Sequence, residues 1–268
     1  MKKVHPSSII HPETTIGEDV EIGPFCTIGK NVKIGQGTTI LAGAHIHENT
    51  FIGENNKIFH GAIIGIEPQD LKYESGGCLI IGNNNTIREY TTIHRSSTKA
   101  ETIIGNSNLL MAYCHVAHDC KIGDNNILAN NSTLGGHVIF GNNINSGGLA
   151  AFHQFVEIGD GAFIAGSAAV TQDIPPYCMV QGDRAKIFGL NIIGLKRAGI
   201  EEKDLSLIKK AFRLILKNNK ELFAERMKKA KLDTELTNNE YSGKFIRFIE
   251  ESKSSAKRRG ICGTSHEN

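Results

Sequence analysis

The string HVAHDC sets His115 and His118 three residues apart, with Asp119 directly after the second imidazole. Imidazole is the side chain best matched to proton transfer near neutral pH, and a neighbouring carboxylate can hold it in one tautomer and orientation. That is the pairing general-base chemistry needs. The spacing alone fits a turn equally well, with Asp119 serving the backbone instead of the ring. More histidines stand at 94, 137 and 153, each within three residues after an apolar position: Ile93, Leu134 and Phe152. Any one of them could simply cover a polar edge. Their nearness to these positions, together with His115 and His118, puts five of the 11 histidines near one strip and points to a site.

The strip exists because of a period of six. From Ile10 every sixth residue to Ile64 is isoleucine; the register resumes at Ile81, Ile87 and Ile93, and again from Ile104 to Val170. Of these 25 positions only Ser146 is not apolar, and 13 are followed directly by Gly. Six is divisible by two and fits 3.6 poorly, so strands accommodate the pattern and a helix does not. One apolar side chain per repeat points inward, Gly allows a turn, and Asn and Asp fill the intervening corners where left-handed backbone is tolerated. Short strands stacked along an axis, a parallel β-helix, satisfy all of this. With 18 residues per coil, positions 93, 116, 134, 152 and 170 fall in one column, allowing for an interruption after Ile93.

The register breaks twice, by 11 residues between Ile64 and Ile81 and by five between Ile93 and Ile104. These loops, about 66–79 and 95–102, leave the same corner one coil apart and border the histidine strip. Loops on a rigid scaffold often carry function. The repeats end at Pro175-Pro176, which cannot continue a ladder. The β-helix is therefore expected over 1–189 and a helical region over 190–253, with Leu205, Ile208, Phe212, Ile215 and Leu216 on one helical side. The polar, basic tail 254–268 reads as disordered. A formal charge of +2 does not suggest a nucleic-acid footprint, which needs a clustered basic face. No apolar stretch is long enough to span a membrane and the N-terminus has no apolar h-region, so a cytoplasmic chain is expected. Six scattered cysteines without C-x-x-C spacing read as reduced thiols.

The strings PQDLKY, TIREYTTIHR, NLLMAYCHVAHDCKIGDNNILANNSTLGGHV, AFHQF and FGLNIIGLKR, in this order along a resemblance that covers roughly residues 4–250, resemble the UDP-N-acetylglucosamine acyltransferases, which carry out the first step of lipid A biosynthesis. The resemblance implies a left-handed β-helix and a homotrimer with sites between subunits. It implies transfer of an (R)-3-hydroxyacyl group from acyl carrier protein to the glucosamine 3-position of UDP-N-acetylglucosamine, without metal or cofactor. His118 matches the general base, Asp119 its orienting carboxylate, and Gly136 the backbone donor to the oxyanion. Gln69, Asp70 and Lys72 match positions of the sugar-binding loop, while His94, His115, His137, His153 and Gln154 would line the cleft. Asn191 and Arg197 would hold phosphate or phosphopantetheine. Phe163 and Gly166 lie at the hydrocarbon ruler. Basic residues on the C-terminal helices, including Lys209, Lys210, Arg213 and Lys217, would attract the acidic carrier.

Three departures stand out: Ala198 where a second Arg is usual, Arg184 where a histidine often occurs, and a shortened HRSSTKAET segment. The competing classes are separated by features of the sequence or, for zinc, by metal content. The N-acyltransferase of the same pathway carries an N-terminal uridine-binding domain, yet repeats here begin by Ile10. A coenzyme A-dependent acetyltransferase would not explain PQDLKY and IHR. A γ-class carbonic anhydrase would set three histidines on zinc, and a purely structural β-helix would show threonine ladders.

Overall fold

A computed structural model describes residues 3–264 apart from 74, 219, 256 and 257. Most repeats fold as a short strand that ends on the sixth-residue position, usually an aliphatic side chain. In Lys33–Ile34 and Lys57–Ile58 the first side chain is exposed and the second buried. Successive strands are dealt in turn to three parallel sheets of 11, 9 and 8 strands. Pairing partners such as His115 and Thr133, then Thr133 and Ala151, lie 18 residues apart, one coil of a three-sided prism. The architecture is the left-handed parallel β-helix.

Ile40, Ile58, Ile64, Ile87 and Ile93 are fully buried on the axis. Each such side chain stabilises the fold by about 1.5–3 kcal/mol relative to exposure. Ser146, the polar exception, keeps its place by bonding Ser132 Oγ at 3.1 Å. The recurring glycine has a cause that the sequence reading missed. A Cβ on Gly105 would stand 2.6 Å from the Gly123 carbonyl oxygen, and one on Gly123 equally close to that of Gly141. Glycine is kept there by the close approach of stacked backbones, while many of the left-handed corners are taken by Asn, Asp and His. At one corner Asn56, Asn85, Asn108 and Asn126 form a buried ladder; the Asn85 amide donates to Asn56 Oδ1 at 3.0 Å and the Asn108 amide to Asn85 Oδ1 at 3.1 Å.

The insertions leave the ladder intact. Ile63 pairs with Thr92 across the first and Thr92 with His115 across the second, so both loops hang from one edge on consecutive coils. The prism closes with an antiparallel pair, Cys178–Gln181 against Lys186–Leu190. Helices α1 (Ile192–Arg197), α2 (Glu202–Phe212), α3 (Phe223–Leu232), α4 (Thr234–Asn238) and α5 (Glu240–Ser254) follow, with a π-helical turn at Arg213–Lys217. Leu205, Ile208, Phe212, Ile215 and Leu216 are all buried, packed around Phe245 in one core. A Lys244–Asp160 ion pair ties α5 to the last coils.

The tail corrects the expectation of disorder over 254–268. Ser254 ends α5, and residues 258–264 lie along the prism with Ile261 bridged to Asp173 and Thr264 to Ile187. The cause is a fully buried carboxylate. Asp173 accepts from Arg258 Nε at 2.9 Å and from Ser252 Oγ at 2.6 Å, and a buried charge demands such partners. Cys262 is buried with it. Residues 256, 257 and 265–268 lie outside the described ones.

Candidate active site

His118 and Asp119 occupy the corner that follows strand His115–Val116, with Asp119 in left-handed backbone at φ 60°. That turn swings the carboxylate back onto its neighbour, and His118 Nδ1 lies 2.7 Å from Asp119 Oδ2. The turn and the orienting pair, alternatives on spacing alone, are one arrangement. The second loop completes it. Ser96 Oγ donates to Asp119 Oδ1, Ser97 Oγ donates to Oδ2 at 2.6 Å, and the Asp119 N–H donates to Thr102 Oγ1 at 2.8 Å. Burial alone would raise the Asp119 carboxyl, but the bonds from Ser96, Ser97 and His118 outweigh it and hold it below the usual carboxylate range. An ionised Asp119 fixes the proton on Nδ1 and leaves Nε2 as the basic nitrogen.

Nε2 faces Gly136 on the next coil. A Cβ there would sit 2.7 Å from Nε2 and 2.5 Å from Cε1, so only glycine leaves the imidazole its place. Around Gly136 the neighbouring N–H groups are bonded, Gly135 to Phe152 O at 2.9 Å and His137 to His118 O at 3.0 Å. The Gly136 N–H has no backbone acceptor among the described residues. A free donor beside a free imidazole nitrogen is the geometry of an oxyanion site next to a base.

The other cleft histidines stack above and below. His137 lies edge-on to His118 with ring centres 5.2 Å apart and is itself stacked on Phe155 at 4.6 Å. His94 meets His115 edge-on at 4.8 Å, and His115 Nδ1 bonds Thr92 Oγ1 at 2.7 Å. Burial pulls His94 down to about 4, helped by His115 and His118, while its buried Nδ1 has no partner. Burial also lowers His115, and lowers His137 against the opposing pull of Asp119. These three rings are therefore neutral at physiological pH and present lone pairs as well as N–H groups. His153 and Gln154 lie exposed on the coil beyond His137. His118, Asp119 and His137 also bring one donor atom each within 4.8 Å, close enough to hold a cation, although His118 Nδ1 and Asp119 Oδ2 already satisfy each other.

In the first loop Asp70 Oδ1 accepts the Lys72 N–H at 3.0 Å, and its charge reaches His137. Gln69 and Lys72 are exposed. Arg95, absent from the sequence-derived site, is the side chain that secures this loop. Its guanidinium is buried and bonds Tyr73 Oη at 2.8 Å, Gly65 O at 3.1 Å, and Glu48 and Glu67 at 3.2 Å each. Ser96, Ser97 and Thr102 were missed too; the only signal was the segment's position at the edge of the strip. Phe163, Asn191 and Arg197 are not brought to His118 within one chain. They line a separate cavity of about 520 Å³ with Asn145 and Met179. Asn191 caps α1, accepting the Gly194 N–H at 3.0 Å and donating to Gly161 O at 3.0 Å, so its amide is largely committed. Gly166 lies exposed beside Gly148 on that side of the prism. Of the helical cations, Lys209 pairs with Glu202, and Lys210 with Asp233 and Glu235, which weakens any field they would project.

Family profiles match as bacterial transferase hexapeptide repeats over residues 25–60 and 101–136, and as domain 2 of UDP N-acetylglucosamine O-acyltransferase over 173–262. A Helicobacter pylori acyl-[acyl-carrier-protein]–UDP-N-acetylglucosamine O-acyltransferase is 47% identical, the match covering all of this chain and 97% of that protein. The Myxococcus xanthus enzyme of the same name is 44% identical over 94% and 98%. Among solved structures, Arabidopsis UDP-N-acetylglucosamine acyltransferase superposes with a TM-score of 0.88 at 41% identity, covering 97% of this chain and 99% of that one. The Francisella novicida enzyme gives 0.91 at 35% identity, covering 98% and 95%.

Proposed function

Because the chain belongs to the UDP-N-acetylglucosamine O-acyltransferase family, we propose that it moves an (R)-3-hydroxyacyl group from acyl carrier protein to the 3-hydroxyl of UDP-N-acetylglucosamine, with His118 as general base. The observation that carries the chemistry is the oriented imidazole, Nδ1 at 2.7 Å from Asp119 and Nε2 open toward Gly136. A sugar hydroxyl is a weak nucleophile. As it attacks the thioester carbonyl, Nε2 takes its proton, and the Asp119 carboxylate stabilises the imidazolium that forms. The carbonyl oxygen becomes an oxyanion and receives the Gly136 N–H. Collapse of the tetrahedral intermediate breaks the C–S bond, and the departing thiolate accepts from His118 the proton taken from the sugar hydroxyl. The thioester supplies the activation, so no enzyme-bound intermediate and no cofactor enters the scheme.

Asp70, Lys72, His94, His115 and His137 surround the space over His118 and would hold the sugar. Phe163, Gly166, Asn191 and Arg197 lie elsewhere on the prism, which supports a homotrimer in which a neighbouring copy brings them to the cleft. A cytoplasmic location belongs to the same reading; no helix among the described residues is long and apolar enough to cross a membrane. The test is product identity. Incubated with a series of 3-hydroxyacyl carrier proteins and UDP-N-acetylglucosamine, the chain should yield the 3-O-acylated sugar nucleotide by mass spectrometry. Absence of that product at every chain length would sink the assignment.

A further inference from the structure

Beyond the catalytic corner, on the same edge of the prism, a polar cavity of about 650 Å³ is lined by His153, Thr171, Gln172, Arg184, Arg258 and Arg259. Three guanidiniums converge there and no carboxylate lines it. Arg258 is anchored from behind by the buried Asp173, and its Nη2 lies 3.1 Å from Glu157 Oε2 but out of line for a hydrogen bond, leaving a buried donor spare. Burial pushes the Glu157 carboxyl upward against the opposing pull of Arg258. Arg259 stands with Nη2 2.9 Å from Nδ1 of His153 and 3.2 Å from Nε2. Neither Arg184 nor Arg259 forms an ion pair with a carboxylate among the described residues. The wall exists only because the tail 258–264 is strapped to the prism. Guanidiniums present planar pairs of N–H groups that match phosphate oxygens, and the two cations without a carboxylate partner, Arg184 and Arg259, call for an anion in the open cavity, while Arg258 is already paired with Asp173, Glu157 and Glu251.

We propose that this cavity receives the phosphate ester of the acyl donor, the phosphodiester of the carrier's pantetheine arm. The assignment rests on the function proposed above. The other available source of the same chemistry is the diphosphate of the sugar nucleotide, and position argues against it. The loop bearing Asp70 and Lys72 springs from the coil of Ile63–Ile66, below the coil of His115, and its Asp70 acts on His137, one coil above it, whereas His153 and Gln172 lie two and three coils above it. At about 4.8 Å per coil the cavity sits roughly 10–15 Å beyond His118. The sugar's diphosphate is one pyranose ring away from the reacting hydroxyl and lies too near; the pantetheine arm is long enough to reach.

Two measurements decide it. Calorimetric titration of the full chain with 3-hydroxyacyl-4′-phosphopantetheine and with its dephosphorylated form should show at least about tenfold tighter binding of the phosphorylated one. Arg184→Ala and Arg259→Ala, both at exposed positions, should each shrink that difference, with Arg259→Lys retaining part of it. Equal affinity for the two forms, or none for either, would overturn the proposal, as would displacement of the phosphorylated form by UDP. In turnover, Arg259→Ala should raise KM for the acyl carrier protein about tenfold and leave KM for the sugar nucleotide unchanged; the reverse pattern would assign the cavity to the nucleotide. A wild-type chain with no turnover would refute the proposed function, while the titration would still decide the cavity.

Discussion

The proton chemistry rests on a few atoms, and each can be perturbed separately. Gly136→Ala inserts a methyl 2.5 Å from His118 Cε1, so the imidazole must swing away from its attack position. We expect kcat to fall on the order of 10²-fold with the unfolding midpoint little changed, because a displacement of about 1 Å at a reacting group carries that penalty. His94 makes a prediction about stability. Its folded value is about 4 against an ordinary 6.5, so below pH 6.5 the unfolded chain binds more protons than the folded one. Its contribution is present in full above 6.5 and is lost as pH falls toward 4. Denaturant midpoints measured across that window should decline on acidification, and more shallowly in His94→Gln. Asp119, held low in the fold, adds acid loss of the same sign at lower pH, starting from the ordinary carboxylate range.

At the scale of elements, the two insertions form one device. Residues 95–97 pin the first loop through Arg95 and pin Asp119 through Ser96 and Ser97, linking that loop to the His118–Asp119 pair. Arg95→Ala should raise KM for the sugar nucleotide by about tenfold and make the 67–77 loop susceptible to limited proteolysis. Arg95→Lys should rescue little, since one ammonium cannot reproduce a fork reaching Tyr73, Gly65 and two glutamates. The repeat, the column of histidines and the corner shared by both loops were all legible in the sequence, because a period of six fixes which side chains stack. The hydrogen-bond partners of Asp119 were not. Ser96 and Ser97 lie outside the period, and their aim depends on how a short irregular loop folds back. The tail escaped for a related reason: RRG reads as polar and basic until the buried Asp173 that it neutralises is known.

For the whole molecule, one chain sets His118 at a corner of the prism and Arg197 in a separate cavity. If neighbouring copies complete each other, His118→Ala and Arg197→Ala chains, each impaired alone, should recover activity when unfolded and reassembled together. Light scattering should give three chains per particle; a monomer, or no recovery in the mixed assembly, would contradict the shared site. The central claim remains the base itself. Single-turnover transfer from a 3-hydroxyacyl carrier protein to UDP-N-acetylglucosamine, run for wild type beside His118→Ala, tests it most directly. We expect the substitution to slow the chemical step by about 10²-fold or more with fold and assembly intact. A variant that transfers at the wild-type rate would show that His118 is not the base.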